Sequence, residues 1–288
     1  MNRLILFLLP LLVLFSGCSL QTIAIRSMTG VMDDGFVTMN AETDLPLAEQ
    51  ALASDLKLVD ALILGDPENE NLLLLGSQGY SSYALGFVED QSPDRAKVFY
   101  VRARDYGLRI LDENGKFATA RTQTVEEFTA ALNSSFTKDD LPAVFWTASA
   151  WGSYIKLSID DPSVLVDLPK VLAMMDFAVK YDSTYYNGFA YAFYGTINGM
   201  TPKMLGGRPD LAKEDFERCL KINGGKFLLT YVFYAKYYAV QVQDKELFET
   251  LLKKAIDAPD NLLPEQNLAN AIAKQKAKKL LAKEEELF

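Results

Sequence analysis

The sequence predicts an all-α fold, built from helical hairpins stacked side by side. Three observations carry that reading. Helix starts recur as an acid or a serine just ahead of a proline. Small, aromatic and apolar residues recur at i, i+4 and i+7 in three of the predicted helical segments. No stretch alternates apolar and polar residues as a strand would. Hydrophobic residues make up 49% of the 288 and charged residues 23%, which is too apolar for a disordered chain.

The starts come first. Asp44 precedes Leu45-Pro46, Ser92 precedes Pro93-Asp94, and Asp161 precedes Pro162. Each pairs an N-capping oxygen with a proline whose fixed φ suits the first helical turn. Arg208-Pro209-Asp210 and Leu263-Pro264-Glu265 also place proline and then an acid at a start. Gly65, Asn114-Gly115 and Asn223-Gly224-Gly225 read as stops. These signals predict helices over 22–37, 45–64, 70–89, 93–112, 124–133, 140–158, 163–180, 187–201, 209–222, 227–241, 244–257 and 264–286.

Pairing follows from side-chain size. Ala96, Tyr100 and Ala103 share one helix face, as do Ala212, Phe216 and Cys219, and Phe248, Leu252 and Ala255. The first two sets have the small–aromatic–small order of the second helix of a tetratricopeptide repeat. Asp210 and Asp244 stand 34 residues apart, the period of that repeat. A small residue lets two helices approach, and the aromatic fills the space between repeats. The expectation is a tetratricopeptide-like α-solenoid, a superhelical array.

The N-terminus predicts a compartment. Met1-Asn2-Arg3 is basic, Leu4–Phe15 is apolar, and Ser16-Gly17-Cys18-Ser19 follows. The apolar run is too short to span a bilayer and reads as a signal peptide. Small residues ahead of Cys18 resemble the bacterial lipoprotein box, in which cleavage precedes an acylated cysteine. Residues 1–17 are therefore expected to be a lipoprotein signal peptide, Cys18 the site of lipid (palmitate) attachment, and residues 18–288 a single domain. Ser19 beside it, rather than aspartate, resembles lipoproteins sorted to the outer membrane. Acyl chains tether firmly, at about 0.8 kcal/mol per buried CH₂. Cys219 is then the remaining thiol, with no partner for a disulfide, and its place in a helix pattern reads as a buried, inert group.

Composition excludes several functions. With no histidine, the chain builds no Ser-His-Asp triad, Cys-His dyad or His-ligated zinc site. A net charge of −9 argues against nucleic acid as a partner. No glycine-rich phosphate loop or metal-ligand spacing is present, so neither a cofactor nor a metal site is expected. Asp160-Asp161 and Glu284–Glu286 are paired carboxylates, but the first reads as a helix cap and the second as a solvated helix end. Lys276, Lys278 and Lys279 read as a charged face on the last helix. The chain is not expected to be an enzyme.

Aromatic residues exceed what one core stripe per helix needs. Phe227, Tyr231, Tyr234 and Tyr238 form one stripe, while Phe233 and Tyr237 lie on another face of the same helix. Tyr191 and Tyr194 belong to a run of seven aromatics from Tyr181, and Trp146, Trp151 and Tyr154 crowd a third helix. Tyrosine suits a cavity wall, since its ring meets apolar ligand and its hydroxyl meets water. Trp146, Trp151, Tyr154, Tyr191, Tyr194, Tyr231, Tyr234 and Tyr238 are the candidate lining of a pocket or pore for an elongated or amphipathic ligand. The same residues also suit a thick core.

Several stretches, taken in order, resemble one family. They are Phe145-Trp146-Thr147-Ala148-Ser149-Ala150-Trp151-Gly152, Leu157-Ser158-Ile159-Asp160-Asp161-Pro162, and Met204-Leu205-Gly206-Gly207-Arg208-Pro209-Asp210-Leu211-Ala212. Asn223-Gly224-Gly225-Lys226, Tyr234-Ala235-Lys236-Tyr237-Tyr238-Ala239 and the tail from Leu268 to Phe288 complete the set. From about Thr22 onward the chain resembles the T-component lipoproteins (TatT) of tripartite ATP-independent periplasmic (TRAP) transporters. The resemblance implies cryptic tetratricopeptide-like repeats, a homotrimer with a pore through each protomer, and a lipid anchor in the periplasm. It implies a partner, the substrate-binding P-component, to which a small ligand, hydrophobic ones included, is handed. Gly206, Gly207 and Pro209 match the family's Gly-Gly-x-Pro turn, which also serves simply as a tight interhelix turn. A scaffold lipoprotein for cell-envelope assembly, binding a protein partner in a concave groove, is the alternative function such repeat arrays serve.

Overall fold

The computed structural model describes residues 20–201 and 207–288, and its regular elements there are all helical. Signal peptide and Cys18 lie outside the described residues, as does Gly206 of the turn motif. In chain order the helices are α1 (Leu20–Ser27), α2 (Thr29–Ala41), α3 (Leu45–Gly65), α4 (Glu70–Tyr83), α5 (Pro93–Asp112), α6 (Gly115–Ala120), α7 (Val125–Ser135) and α8 (Leu141–Leu157). They continue as α9 (Pro162–Leu165), α10 (Leu168–Asp182), α11 (Tyr185–Met200), α12 (Pro209–Asn223), α13 (Leu229–Tyr234), α14 (Lys245–Ile256), α15 (Asn267–Leu281) and α16 (Glu284–Leu287).

Caps explain most of the boundaries. The Asp44 carboxylate accepts from the Leu47 amide at 3.1 Å, Asp161 from Ser163 at 2.9 Å, and Asp244 from Leu247 at 2.9 Å. Gly224, at φ +60°, ends α12 in the left-handed conformation that glycine adopts without strain. Ser92 makes no capping hydrogen bond, so Pro93 alone marks the start of α5. Asn114, expected to stop a helix, instead starts one: its side chain accepts from the Phe117 amide at 3.2 Å and opens α6, which the sequence pattern does not reveal. The expected helix over 22–37 is two helices meeting at Met28, and that over 163–180 is divided between α9 and α10.

The nine small and aromatic positions that predict pairing are buried, none more than 1% exposed. Phe216 stacks on Tyr234 with centroids 5.0 Å apart and the rings within 16° of parallel, which joins α12 to α13. Burial of a large apolar side chain such as Phe216 contributes about 1.5–3 kcal/mol. Among the described residues, apolar contacts form four clusters. One joins α1 to α3 and α4, one joins α3 to α4 and α5, and one centres on Phe117, Phe128, Phe145 and Met174 of α6, α7, α8 and α10. The last centres on Phe216, Phe227 and Phe248 in the C-terminal third.

The array is closed by its last long helix. Leu268 and Ile272 of α15 pack with Leu52, Tyr83 and Ala84 in the N-terminal half, while Ala273 and Ala277 pack with Phe248 and Leu252. Helix α15 thus packs against both the early and the late helices of the described chain. The structure is an all-α helical array whose ends meet.

Candidate functional site

Closure leaves a cavity of about 900 Å³ between the segment Glu89–Pro93 that leads into α5, the end of α8, α13 with the turn after it, and α15. Two irregular turns aim side chains into it. After Tyr83 the helix widens into a π turn over Ala84–Val88, sealed by the Glu89 amide donating to the Ala84 carbonyl at 2.8 Å. After Tyr234 a second π turn covers Ala235–Ala239, with the Val240 amide donating to Ala235 at 3.2 Å. A π turn inserts one extra residue and changes the phase of the side chains beyond it, and such turns are frequent at functional sites. The first delivers Glu89 and Asp90 to the cavity, and the second carries Lys236 and Tyr237. Lys156 and Leu157 come from the end of α8, and Lys276, Lys279 and Leu280 from α15. Val232, Phe233, Val240, Met200 and Leu287 supply much of the apolar wall.

The charges are arranged in two layers. Deeper, Glu89 accepts from Lys156 Nζ at 2.7 Å and from the Tyr100 hydroxyl at 2.6 Å. Burial would raise the Glu89 carboxyl, but the charges of Lys156, Lys276 and Lys236 outweigh it and hold the group at about 2. Burial likewise pulls the Lys156 amine down, and Glu89 with the Tyr237 hydroxyl more than reverses this, leaving it above the ordinary lysine range. The Lys156 ammonium also lies 5.9 Å from the Phe233 ring centroid and 5.7 Å from that of Tyr237. Nearer the surface, Asp90 accepts from Lys276 at 2.6 Å and has Lys236 at 3.9 Å. There burial wins: the Lys276 amine is lowered despite Asp90 and Glu89. Lys156 and Phe233 also border a second void of about 40 Å³, walled by Leu85, Phe189, Phe193 and Ile197.

The eight aromatics proposed from the sequence are not among the residues lining this cavity. Trp146 is buried edge-on to Tyr186, with centroids 4.8 Å apart. Trp151 is buried in the same cluster, which Tyr154 joins from its rim, and Arg104 lies over both rings. Tyr191 is buried beneath the Arg218 guanidinium, 4.4 Å from its centroid, and the Tyr194 hydroxyl donates to Asp176 at 2.6 Å. Tyr234 is held by Phe216, Tyr238 packs on Tyr234 at 5.3 Å, and half-buried Tyr231 packs on the C-terminal cluster. The cavity uses the other face of that helix, Phe233 and Tyr237. The signal is present in the sequence as a helix apolar on two faces, and the less regular face is the one that meets the cavity.

The charged side chains depart further from expectation. Lys276 is 7% exposed and paired, not part of a solvated face. Glu284 pairs with Lys245 at 2.6 Å. In the turn motif, Gly207 is buried and Pro209 occupies the first turn of α12, after the Arg208 amide donates to Asn198 at 3.1 Å. Cys219 is buried, its thiol pushed up to about 11 by burial, which suits an inert group.

A family model described as TRAP transporter T-component matches residues 41–288. The chain belongs to this family. No curated protein matches it. The matched span includes every residue lining the cavity, from Glu89 to Leu287. An accessory role in TRAP transport follows from that membership. Among the described residues of this T-component, no helix is long and apolar enough to cross a membrane.

Proposed function

We propose that this T-component takes a small ligand into the cavity between the Glu89–Pro93 segment, α8, α13 and α15 and presents it to a substrate-binding P-component. The observation that carries the reading is the family match over residues 41–288, which encompasses a cavity of about 900 Å³, within the size range of small-molecule sites. The role is non-enzymatic, a reading supported by membership in a family described as a transporter component. The chain acts as a periplasmic homotrimer tethered through lipid on Cys18, at the outer membrane. The lipoprotein box supports the tether, and exposed Leu20, Ile23, Val31 and Val37 at the start of the described chain suit a segment held at a lipid surface.

Affinity capture from envelope extracts tests the partner. Recovery of a substrate-binding protein is the predicted result, and recovery of envelope-assembly factors alone replaces this reading with a scaffold. Metabolic labelling with palmitate tests the anchor. Label is predicted on the wild-type chain and lost in Cys18→Ala, and unlabelled wild-type protein contradicts lipidation.

A further inference from the structure

We infer that the cavity takes an amphipathic anion, with its negative head among Lys236, Lys276, Lys279 and Lys283 and its apolar body along Phe233 and Val232. The inference deepens the ligand-carrier reading above and rests on it.

Charge balance is the first support. Five lysines line the cavity against two carboxylates, in a chain whose net charge is −9. Both carboxylates are already engaged. Glu89 is held by Lys156 and Tyr100 at 2.7 and 2.6 Å, and Asp90 is shared by Lys276 and Lys236. Among the described residues, Lys279 and Lys283 have no carboxylate partner. A cationic concavity in an otherwise acidic molecule concentrates anions against the sign of the whole field. Burial has lowered the Lys276 amine, so another negative charge beside it restores what desolvation removed. Apolar lining is the second support. Leu157, Val232, Phe233, Val240 and Leu280 offer no hydrogen bond and reward a hydrocarbon body at about 25 cal/mol per Å² buried. A small hydrophilic anion leaves this wall wet, and a neutral lipid leaves the lysines unanswered.

Titration calorimetry on the full chain with decanoate, decanol, decyltrimethylammonium and acetate separates these contributions. Decanoate is predicted to bind at least about tenfold more tightly than decanol or acetate, and the cationic probe not to bind. Raised salt weakens decanoate selectively. Lys279 and Lys283 are exposed, so the double variant Lys279→Gln/Lys283→Gln folds, and it is predicted to bring decanoate to within reach of the decanol affinity. Equal affinity for decanoate and decanol, acetate binding as well as decanoate, unchanged decanoate affinity in the double variant, or no decanoate binding each overturns the inference. Capture of the P-component is measured on the same preparation. Capture without anion preference overturns this inference alone, and anion preference without capture overturns only the transporter reading.

Discussion

Glu89 and Lys156 form a buried pair whose two members depend on each other. Each loses water, and each regains it as one strong hydrogen bond, with Tyr100 filling a second site on the carboxylate. Removing one partner strands the other. Glu89→Gln is predicted to cost about 3–5 kcal/mol in urea denaturation near neutral pH, and Glu89→Gln combined with Lys156→Met to recover much of it. A double variant no more stable than the single one would show that the pair is not a closed unit. The pH dependence has a definite sign. Because the folded protein holds the Glu89 carboxyl at about 2, below its ordinary 4.5, the pair stabilises the fold at neutral pH and loses that contribution as pH falls from about 4.5 toward 2. The stability gap between wild type and Glu89→Gln should therefore narrow over that interval. A gap that stays constant contradicts the assignment.

Elements are legible in the sequence where a cap or a proline fixes a boundary. Asp44, Asp161 and Asp244 each place a carboxylate within reach of a free amide at a helix start, and that is a local event. The π turns after Tyr83 and Tyr234 are not local. Their residues suit an ordinary α-helix, and only the packing of neighbouring helices selects the wider turn. The division between α9 and α10 and the short α6 are hidden for a related reason: α9 and α6 are each about a turn or two of helix, with no long apolar stripe to reveal them. Helix α11 shows how tightly the second π turn is gripped. A Cβ added at Gly199 runs into the Tyr237 backbone carbonyl, which has no rotamer to escape by. Gly199→Ala is predicted to lower stability by about 1–3 kcal/mol in thermal melts, with loosened hydrogen exchange over Ala235–Ala239. Unchanged exchange there would separate the glycine from the turn.

At the scale of the molecule, the core is readable in the sequence and the cavity is not. Small and aromatic residues at helical spacing report burial directly, so the stripes of α5, α12 and α14 identify themselves. The cavity is assembled from residues far apart in the chain: Asp90 and Lys276 are separated by 186 positions, and nothing near either announces the other. Lys276 looks like any lysine of a solvated helix until closure of the array buries it. Counting aromatics locates helix α13 but selects the face that packs against Phe216. That closure rests on α15, so Ile272→Ala is predicted to cost about 2–5 kcal/mol and to raise hydrogen exchange in α4 as well as α15. Exchange confined to α15 would mean that the two ends of the array are not coupled.

In the function proposed, the lysine-rimmed cavity receives the ligand and the aromatic stripes do not. Diffraction from crystals grown with bromine-tagged decanoate tests it most directly. The expected result is an anomalous bromine peak against Phe233 and Val232, with the carboxylate turned toward Lys236, Lys276, Lys279 and Lys283. A peak seated instead against Trp146, Tyr194 or Tyr231, with the cavity holding only solvent, would contradict it.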